Sequence, residues 1–328
     1  MASEAEIDAQ LEREPRNIAA LVAKGELRSS AGDERAAAAF YKAALSAAQA
    51  VGQLPMSLKP AVDQALKGLA KAEQGFLEQL EQSLARSGFG LGQRPPRFQH
   101  AIDLMLGRAH EELQLQRPTS FYYPGLPQRR YFEPSEFPWA KQMEAAAAAI
   151  RDEILAEMGQ GGGRFSPYVV NNPDRPRSSY HGLVDNPEWA TLELWEKGEA
   201  VPGLTDRFPA TMAAAEATDL PRITVRAPNI LFSKLAAGAR IPLHHGAINT
   251  RLVCHLPLVV PPGCGFRVGG ETRQWEEGKL LIFDDSIEHE AWNDGDSDRI
   301  ILIFDAWRPE LDLEERRAVV ALFKAIDG

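Results

Sequence analysis

The sequence predicts an α+β protein: an α-helical front end followed by an all-β sandwich or jelly roll. Three observations carry this. Residues 5–90 are rich in Ala, Leu, Glu, Gln and Lys, all good helix formers. From Ala190 onward the pattern changes to short apolar runs divided by Gly, Pro, Asn and Asp, which is how strands read. No helical pattern lies between most of those runs, which argues against an α/β nucleotide-binding sheet. With 44% hydrophobic and 25% charged residues in 328, the chain can bury one large core or two ordinary ones.

In the helical part, Pro15, Arg16 and Asn17 open a run in which Leu21, Gly25 and Leu27 precede Gly32-Asp33. Ala37, Tyr41, Ala44 and Leu45 follow at helical spacing. The pattern resembles one tetratricopeptide (TPR) repeat, with small residues where two helices cross and a Gly-Asp turn between them. A weaker helix pair is expected over 58–70 and 75–86. A lone repeat cannot bury its own face, so this region either docks a protein partner or caps the next domain. Residues 88–96 read as a Gly/Pro linker, and a helix is expected over 98–114. The division is placed accordingly: an α-helical TPR-like domain over 1–116 and a β domain over 117–328.

Residues 118–138, crowded with Pro and aromatics, read as an extended segment laid across the β domain. A strong helix is expected over 139–158, with Glu144, Glu153 and Glu157 available for a solvent face. The polar stretch holding Arg175, Arg177, Ser178, Ser179 and His181 reads as a surface loop or a lid over a site. Strands are expected at 191–195, 223–225, 230–235, 252–260, 266–268, 279–283 and 299–306. Gly269-Gly270 reads as a hairpin turn, and the chain closes with a helix over 313–326.

The net charge of -10 argues against nucleic acid or an anionic membrane as the main partner, since both need a basic surface. It leaves room for a local basic pocket holding an anionic small molecule. Cys254 and Cys264 are the only cysteines; free thiols in a reducing cytosol are expected, with a disulfide left open. The N-terminus lacks the pattern of a signal peptide, and no run approaches membrane-spanning length. A cytoplasmic location is therefore expected.

Four of the seven histidines, His244, His245, His255 and His289, fall between Ser233 and Asp305. Neutral imidazole is a good ligand for iron, zinc and copper, so two histidines on neighbouring strands can build a metal site. In the usual facial triad a carboxylate sits two residues after the first histidine; here that position is Gly246. His100, His110 and His181 read as structural or surface residues. His245 is expected to face away from its neighbour His244. Taken alone, His255 could be a core histidine, and Arg299 and Asp285 an ion pair.

Taken together, Ser233, His244, Gly246, Asn249, Arg251, His255, the WEEGK, LIFDDS and EHE runs and Arg299 resemble the aspartyl/asparaginyl β-hydroxylase family. The likeness covers about 122–311. It implies a double-stranded β-helix (jelly-roll) fold and an oxygenase dependent on Fe(II) and 2-oxoglutarate, in a family that also carries glycine in place of the acidic ligand. By the same resemblance His244 and His289 would hold iron, while Arg299 and Ser233 would meet the distal carboxylate of 2-oxoglutarate. His255 would meet the carboxylate nearer the metal, and Asp285 would act from behind it, orienting water or a ligand. Arg251 would bind a substrate carboxylate, although the R-x-R pair of some members is reduced here to one arginine by Val253. The implied reaction hydroxylates an unactivated C–H, such as the β-carbon of an aspartyl or asparaginyl residue, in a peptide or small-molecule substrate. Trp195 and Trp292 are further candidates for lining the pocket. Two other readings stay open on residues alone. One is a silent β-barrel behind a helical interaction scaffold; the other is a cupin-like enzyme without 2-oxoglutarate, which leaves Arg299 and Ser233 without a purpose.

Overall fold

In the computed structural model of the protein every residue is described except 1–2, 52–53, 111–114, 160–164, 171–183, 224 and 328. The described residues form two units, one within Met1–Gly90 together with Val170 and the other within Leu91–Val169 and His181–Gly328.

The first unit holds α1 (Glu4–Arg13), α2 (Ile18–Ser30), α3 (Glu34–Ala50) and α4 (Lys59–Arg86). Ser3, Asn17 and Asp33 start the first three by accepting a backbone N–H from the first turn, the usual work of an N-cap. Gly25 and Gly68 lie against the Tyr41 ring, where a Cβ at either position would overlap it. Those glycines let α2 and α4 close on α3. The helix pair expected over 58–70 and 75–86 is one continuous 28-residue helix. Gly75 is flanked by strong helix formers, and a lone internal glycine costs only about 1 kcal/mol.

The second unit begins with α5 (Pro96–Met105) and continues through β1 (Tyr131–Phe132), α6 (Ala140–Gly159), β2 (Ser166–Pro167), β3 (Trp189–Glu196), β4 (Glu199–Ala200) and α7 (Pro209–Glu216). Then come β5 (Ile230–Leu235), β6 (Arg240–His244), β7 (Arg251–Val259), β8 (Cys264–Val268) and β9 (Glu271–Arg273). β10 (Leu281–Phe283), β11 (His289–Asn293), β12 (Arg299–Trp307) and α8 (Leu313–Asp327) complete it. The division thus falls after Gly90 rather than after residue 116, because α5 packs on α8: Phe98 and Ile102 are buried, and Arg97 pairs with Glu315 at 3.1 Å. α5 stops at Met105, before a Gly107 with φ of 69°, so it is shorter than expected; residues 111–114 of that expectation lie outside the described residues.

The strands pair antiparallel in two sheets, β1-β10-β7-β12-β5-β3-β2 with β4 on β3, and β6-β11-β8-β9. This is the double-stranded β-helix arrangement. Strand alternation splits the large sheet cleanly. Leu192, Phe232, Leu256, Leu302 and Phe304 point outward into a core with Met143, Ile150 and Ile154 of α6 and Ala214 of α7. The intervening residues face the small sheet, where Leu235, Val253, Phe283 and Ile301 meet Phe266 and Val268. Cys254 belongs to the outer core and Cys264 to the inner one, and both are free thiols.

Several sequence expectations change. Of the strand expected at 223–225, Ile223 is bridged to Ala227 and Val225 is in a turn at φ 61°, so neither belongs to a strand; Thr224 lies outside the described residues. The three glutamates of α6 do not form a solvent face. Glu153 accepts from the Ala210 and Thr211 backbone N–H groups at 2.6 and 3.0 Å, capping α7. Glu157 is buried and pairs with Arg207, and Glu144 accepts from the Leu280 N–H at 3.0 Å. Orphan donors at a helix start and a strand end outcompete water for these carboxylates. The expected lid residues Arg175, Arg177, Ser178, Ser179 and His181 lie outside the described residues. No helix among the described residues is long and apolar enough to cross a membrane.

Candidate active site

The two candidate ligand histidines meet because β6 carries a bulge. His289 pairs with His244, yet Ala291 pairs with Ile241, so two steps along β11 match three along β6. The extra residue reverses the alternation, and Pro242 is tolerated there because a bulge needs one ladder donor fewer. Ile241 and His244 consequently face the same interior. The two imidazole centroids are 4.0 Å apart with 51° between planes. Each ring is tied to its own backbone two residues earlier, His244 Nδ1 to Pro242 O at 2.8 Å and His289 Nδ1 to Ile287 O at 2.9 Å. A carbonyl only accepts, so each Nδ1 carries a proton, and Nε2 is the ring nitrogen turned away from that bond. Burial, reinforced by His244, holds His289 well below the usual histidine range, which keeps the ring neutral.

Gly246 follows on the loop after β6. Its N–H donates to Asp285 O at 2.7 Å, and its carbonyl accepts from the Thr119 N–H at 2.9 Å. A Cβ at this position would overlap the Asp285 carboxylate. The glycine is therefore a steric requirement for Asp285 as well as a missing ligand. Asp285 Oδ2 accepts from Arg251 Nη2 at 3.1 Å, and Arg251 Nε meets Asp305 at 3.3 Å. Arg251 Nη1 and Asp285 Oδ1 are buried without a hydrogen-bond partner. Burial, opposed by Arg251, pushes the Asp285 carboxyl up to about 6. Among the described residues no group of three or more His, Cys, Asp or Glu converges on one point. The two histidines therefore form a pair without a third such ligand.

Deeper on the inner face, β12 places Arg299 opposite Leu235, and β3 places Thr191 opposite Ser233. Arg299 is 1% exposed. It donates from Nη2 to Ser233 Oγ at 3.2 Å and lies 4.9 Å above the Trp275 ring. Its Nε has no partner, and no carboxylate is paired with it among the described residues. Burial lowers it to about 10. A buried cation without a counter-ion is costly, so this is a place built for an anion. His255 lies on β7 opposite Ile303, is buried, and accepts at Nδ1 from Trp275 Nε1 at 3.3 Å. Burial, with the Arg299 charge beside it, holds His255 well below its usual range.

The structure thus brings Ser233, His255 and Arg299 into one interior, puts His244 beside His289 at its edge, and clasps Arg251 between Asp285 and Asp305. Trp195 and Trp292 are elsewhere. Trp195 packs on the outer core, and Trp292 faces away from the His289 side of β11, against Gly265. The tryptophans of the site are Trp275 and Trp189, the latter donating from Nε1 to Ser233 Oγ at 3.3 Å and lying 6.1 Å from the His244 ring. Alternation marks Trp189, two residues before inward Thr191; Trp275 stands outside any strand and carries no local signal beyond its place in WEEGK.

The family described as aspartyl/asparaginyl β-hydroxylase matches residues 144–309. Human aspartyl/asparaginyl β-hydroxylase is 36% identical over 203 residues, covering 60% of this chain and 25% of that protein. Human aspartate β-hydroxylase domain-containing protein 2 is 31% identical over 212 residues, 64% of this chain and 55% of that protein. Human aspartate β-hydroxylase domain-containing protein 1 is 30% identical over 221 residues, 66% and 54% respectively. The chain spans from a quarter to about half the length of these relatives.

Proposed function

The chain belongs to the aspartyl/asparaginyl β-hydroxylase family, and from that premise we propose that it is an Fe(II)- and 2-oxoglutarate-dependent dioxygenase. The observation that carries the reading is Arg299, a guanidinium 1% exposed and without an acidic partner among the described residues. It shares one β interior with the imidazoles of His244 and His289. The donor set fits the implied groups. His244 and His289 would hold Fe(II) through Nε2, since their Nδ1–H···O=C bonds commit the other ring nitrogen. Arg299, whose planar fork can meet a carboxylate with two hydrogen bonds, would hold the distal carboxylate of 2-oxoglutarate with Ser233. His255 would meet the other carboxylate.

When bound, the metal and 2-oxoglutarate supply the oxidising power for a C–H bond, with succinate and carbon dioxide formed from the co-substrate. The chain supplies position and dryness. Phe266, Phe283 and Ile301 exclude water from the inner face, and the proton on each ligand histidine stays on Nδ1. Arg251 keeps one buried donor, Nη1, for a substrate carboxylate or amide. Asp285, orienting Arg251 or a water, can take up a proton near pH 6, which would relieve the excess of carboxylate around that arginine. The substrate class proposed is an aspartyl or asparaginyl residue hydroxylated at the β-carbon, or a related carboxylate-bearing molecule.

The test adds Fe(II) and 2-oxoglutarate without oxygen and follows the visible charge-transfer band of the chelate. The band is expected in the wild type and absent in His289→Ala; an equal band in that variant removes His289 from the ligand set. A mass-spectrometric screen of peptides and amino acids for the gain of one oxygen atom then identifies the substrate.

A further inference from the structure

We propose that two indoles, Trp275 and Trp189, fix the direction of the protons in the co-substrate pocket and so turn His255 and Ser233 into hydrogen-bond donors. The identity of the ligand rests on the oxygenase reading above; the hydrogen-bond directions do not.

An indole N–H can only donate. Trp275 Nε1 is 3.3 Å from His255 Nδ1, so that nitrogen must be the acceptor. A buried imidazole beside the Arg299 cation is neutral and carries one proton. With Nδ1 taken, the proton sits on Nε2. This is the opposite tautomer to that of His244 and His289, whose Nδ1 atoms face carbonyl oxygens. The fold therefore holds histidines in two tautomers on its two sheets: His244 and His289 with the proton on Nδ1, on the small sheet, and His255 with the proton on Nε2, on the large one.

Ser233 is handled in the same way. Its Oγ accepts from Trp189 Nε1 at 3.3 Å and from Arg299 Nη2 at 3.2 Å, which fills both of its acceptor positions. Its own O–H is the capacity that remains. Arg299 has no acceptor at all, and its Nε is unpartnered. Ser233, His255 and Arg299 therefore each offer a hydrogen and no lone pair to a ligand held among them. Three such donors favour a ligand that presents acceptors to them, as the carboxylates of a dicarboxylate do.

The indoles are held so that they can do this. Trp275 is buried, stacks on Phe266 with ring centroids 5.4 Å apart at 27°, and lies 4.9 Å beneath the Arg299 guanidinium. One ring thus orders the groups assigned to both ends of the ligand. Trp189 packs 4.5 Å from Tyr168. Both act through another side chain, which makes them positioning residues.

The decisive measurement is a nitrogen NMR spectrum of histidine-labelled, metal-free protein. In the wild type the His255 proton is expected on Nε2, and Trp275→Phe, which keeps a ring under Arg299 but loses the N–H, is expected to populate the Nδ1–H form. In Fe(II)-loaded protein without oxygen, the same substitution should raise the Kd for 2-oxoglutarate roughly tenfold, the worth of one buried hydrogen bond, with Fe(II) affinity unchanged. Trp189→Phe should raise it by a smaller factor. In a His255→Ala background, Trp275→Phe should cost nothing further. A wild-type proton on Nδ1 overturns the proposal, as does a Trp275→Phe variant that leaves both tautomer and Kd unaltered, or a cost that persists without His255. Should Trp275→Phe fail to fold, the wild-type spectrum decides alone. Failure of the wild type to bind 2-oxoglutarate would defeat the oxygenase reading, while the spectrum would still decide the proton direction.

Discussion

The large sheet has two faces made by the same strands, and they are organised on opposite principles. Along β12 the outward residues are Ile300, Leu302, Phe304 and Ala306, all buried and apolar. The inward ones include Arg299 and Asp305, buried and charged. The outer face is satisfied by packing on α6 and α7. The inner face holds a cation without a counter-ion among the described residues and a carboxylate pair competing for one arginine. A fold can afford such a face when the other side of each strand supplies the stability.

Substitutions at four positions would break or sharpen that contrast. The largest effect is expected on the outer face: Phe304→Ala should lose about 3–5 kcal/mol in urea denaturation, because it empties the contact with Trp139 at 5.7 Å. On the inner face Arg299→Ala should leave stability unchanged or raised, since it removes an unpaired buried charge. Its 2-oxoglutarate affinity should fall at least a hundredfold, about 3 kcal/mol, with little change for Fe(II). Equal losses for metal and co-substrate would contradict its role.

Asp285 gives the next largest effect. Its folded value of about 6 lies above its ordinary 3.8, so the folded state holds the proton more tightly. Stability should therefore fall as pH rises from about 4 to about 6, by about 3 kcal/mol at most, and level off above. Burial also pushes Glu193 up to about 7 and raises Asp305, so other carboxyls contribute to the overall pH dependence. The readout is thus the difference in slope between wild type and Asp285→Asn in denaturation at stepped pH; identical slopes would refute the assignment. The smallest effect belongs to Gly246→Ala, expected to cost about 1–2 kcal/mol by displacing the Asp285 carboxylate. Gly246→Asp should share that cost and fail to improve metal binding, a result that calorimetric titration with Fe(II) would show directly.

The inner face was largely legible in the sequence. The family resemblance singles out Ser233, His255 and Arg299, and each falls in a short apolar run that reads as a strand; their common face comes from the pairing of β5, β12 and β7. Trp275 was not legible, because it sits outside any strand and only packing brings it under Arg299. Trp195 misled for a related reason: β3 shifts register between Glu193 and Trp195, and the ring joins the outer core. The glutamates of α6 looked exposed on a helical wheel, but the start of α7 needed acceptors there.

By itself the sequence determined which residues alternate, where short strands occur, and that histidines of metal-binding type fall among them. Local periodicity and residue chemistry suffice for that. Only the tertiary structure decided that His244 turns inward, through the extra residue by which β6 slips against β11. It alone decided that Gly246 is empty to admit Asp285, and that Arg251 reaches the site already held by two carboxylates. These are matters of register and overlap between strands distant along the chain, and no local pattern encodes the distance between them.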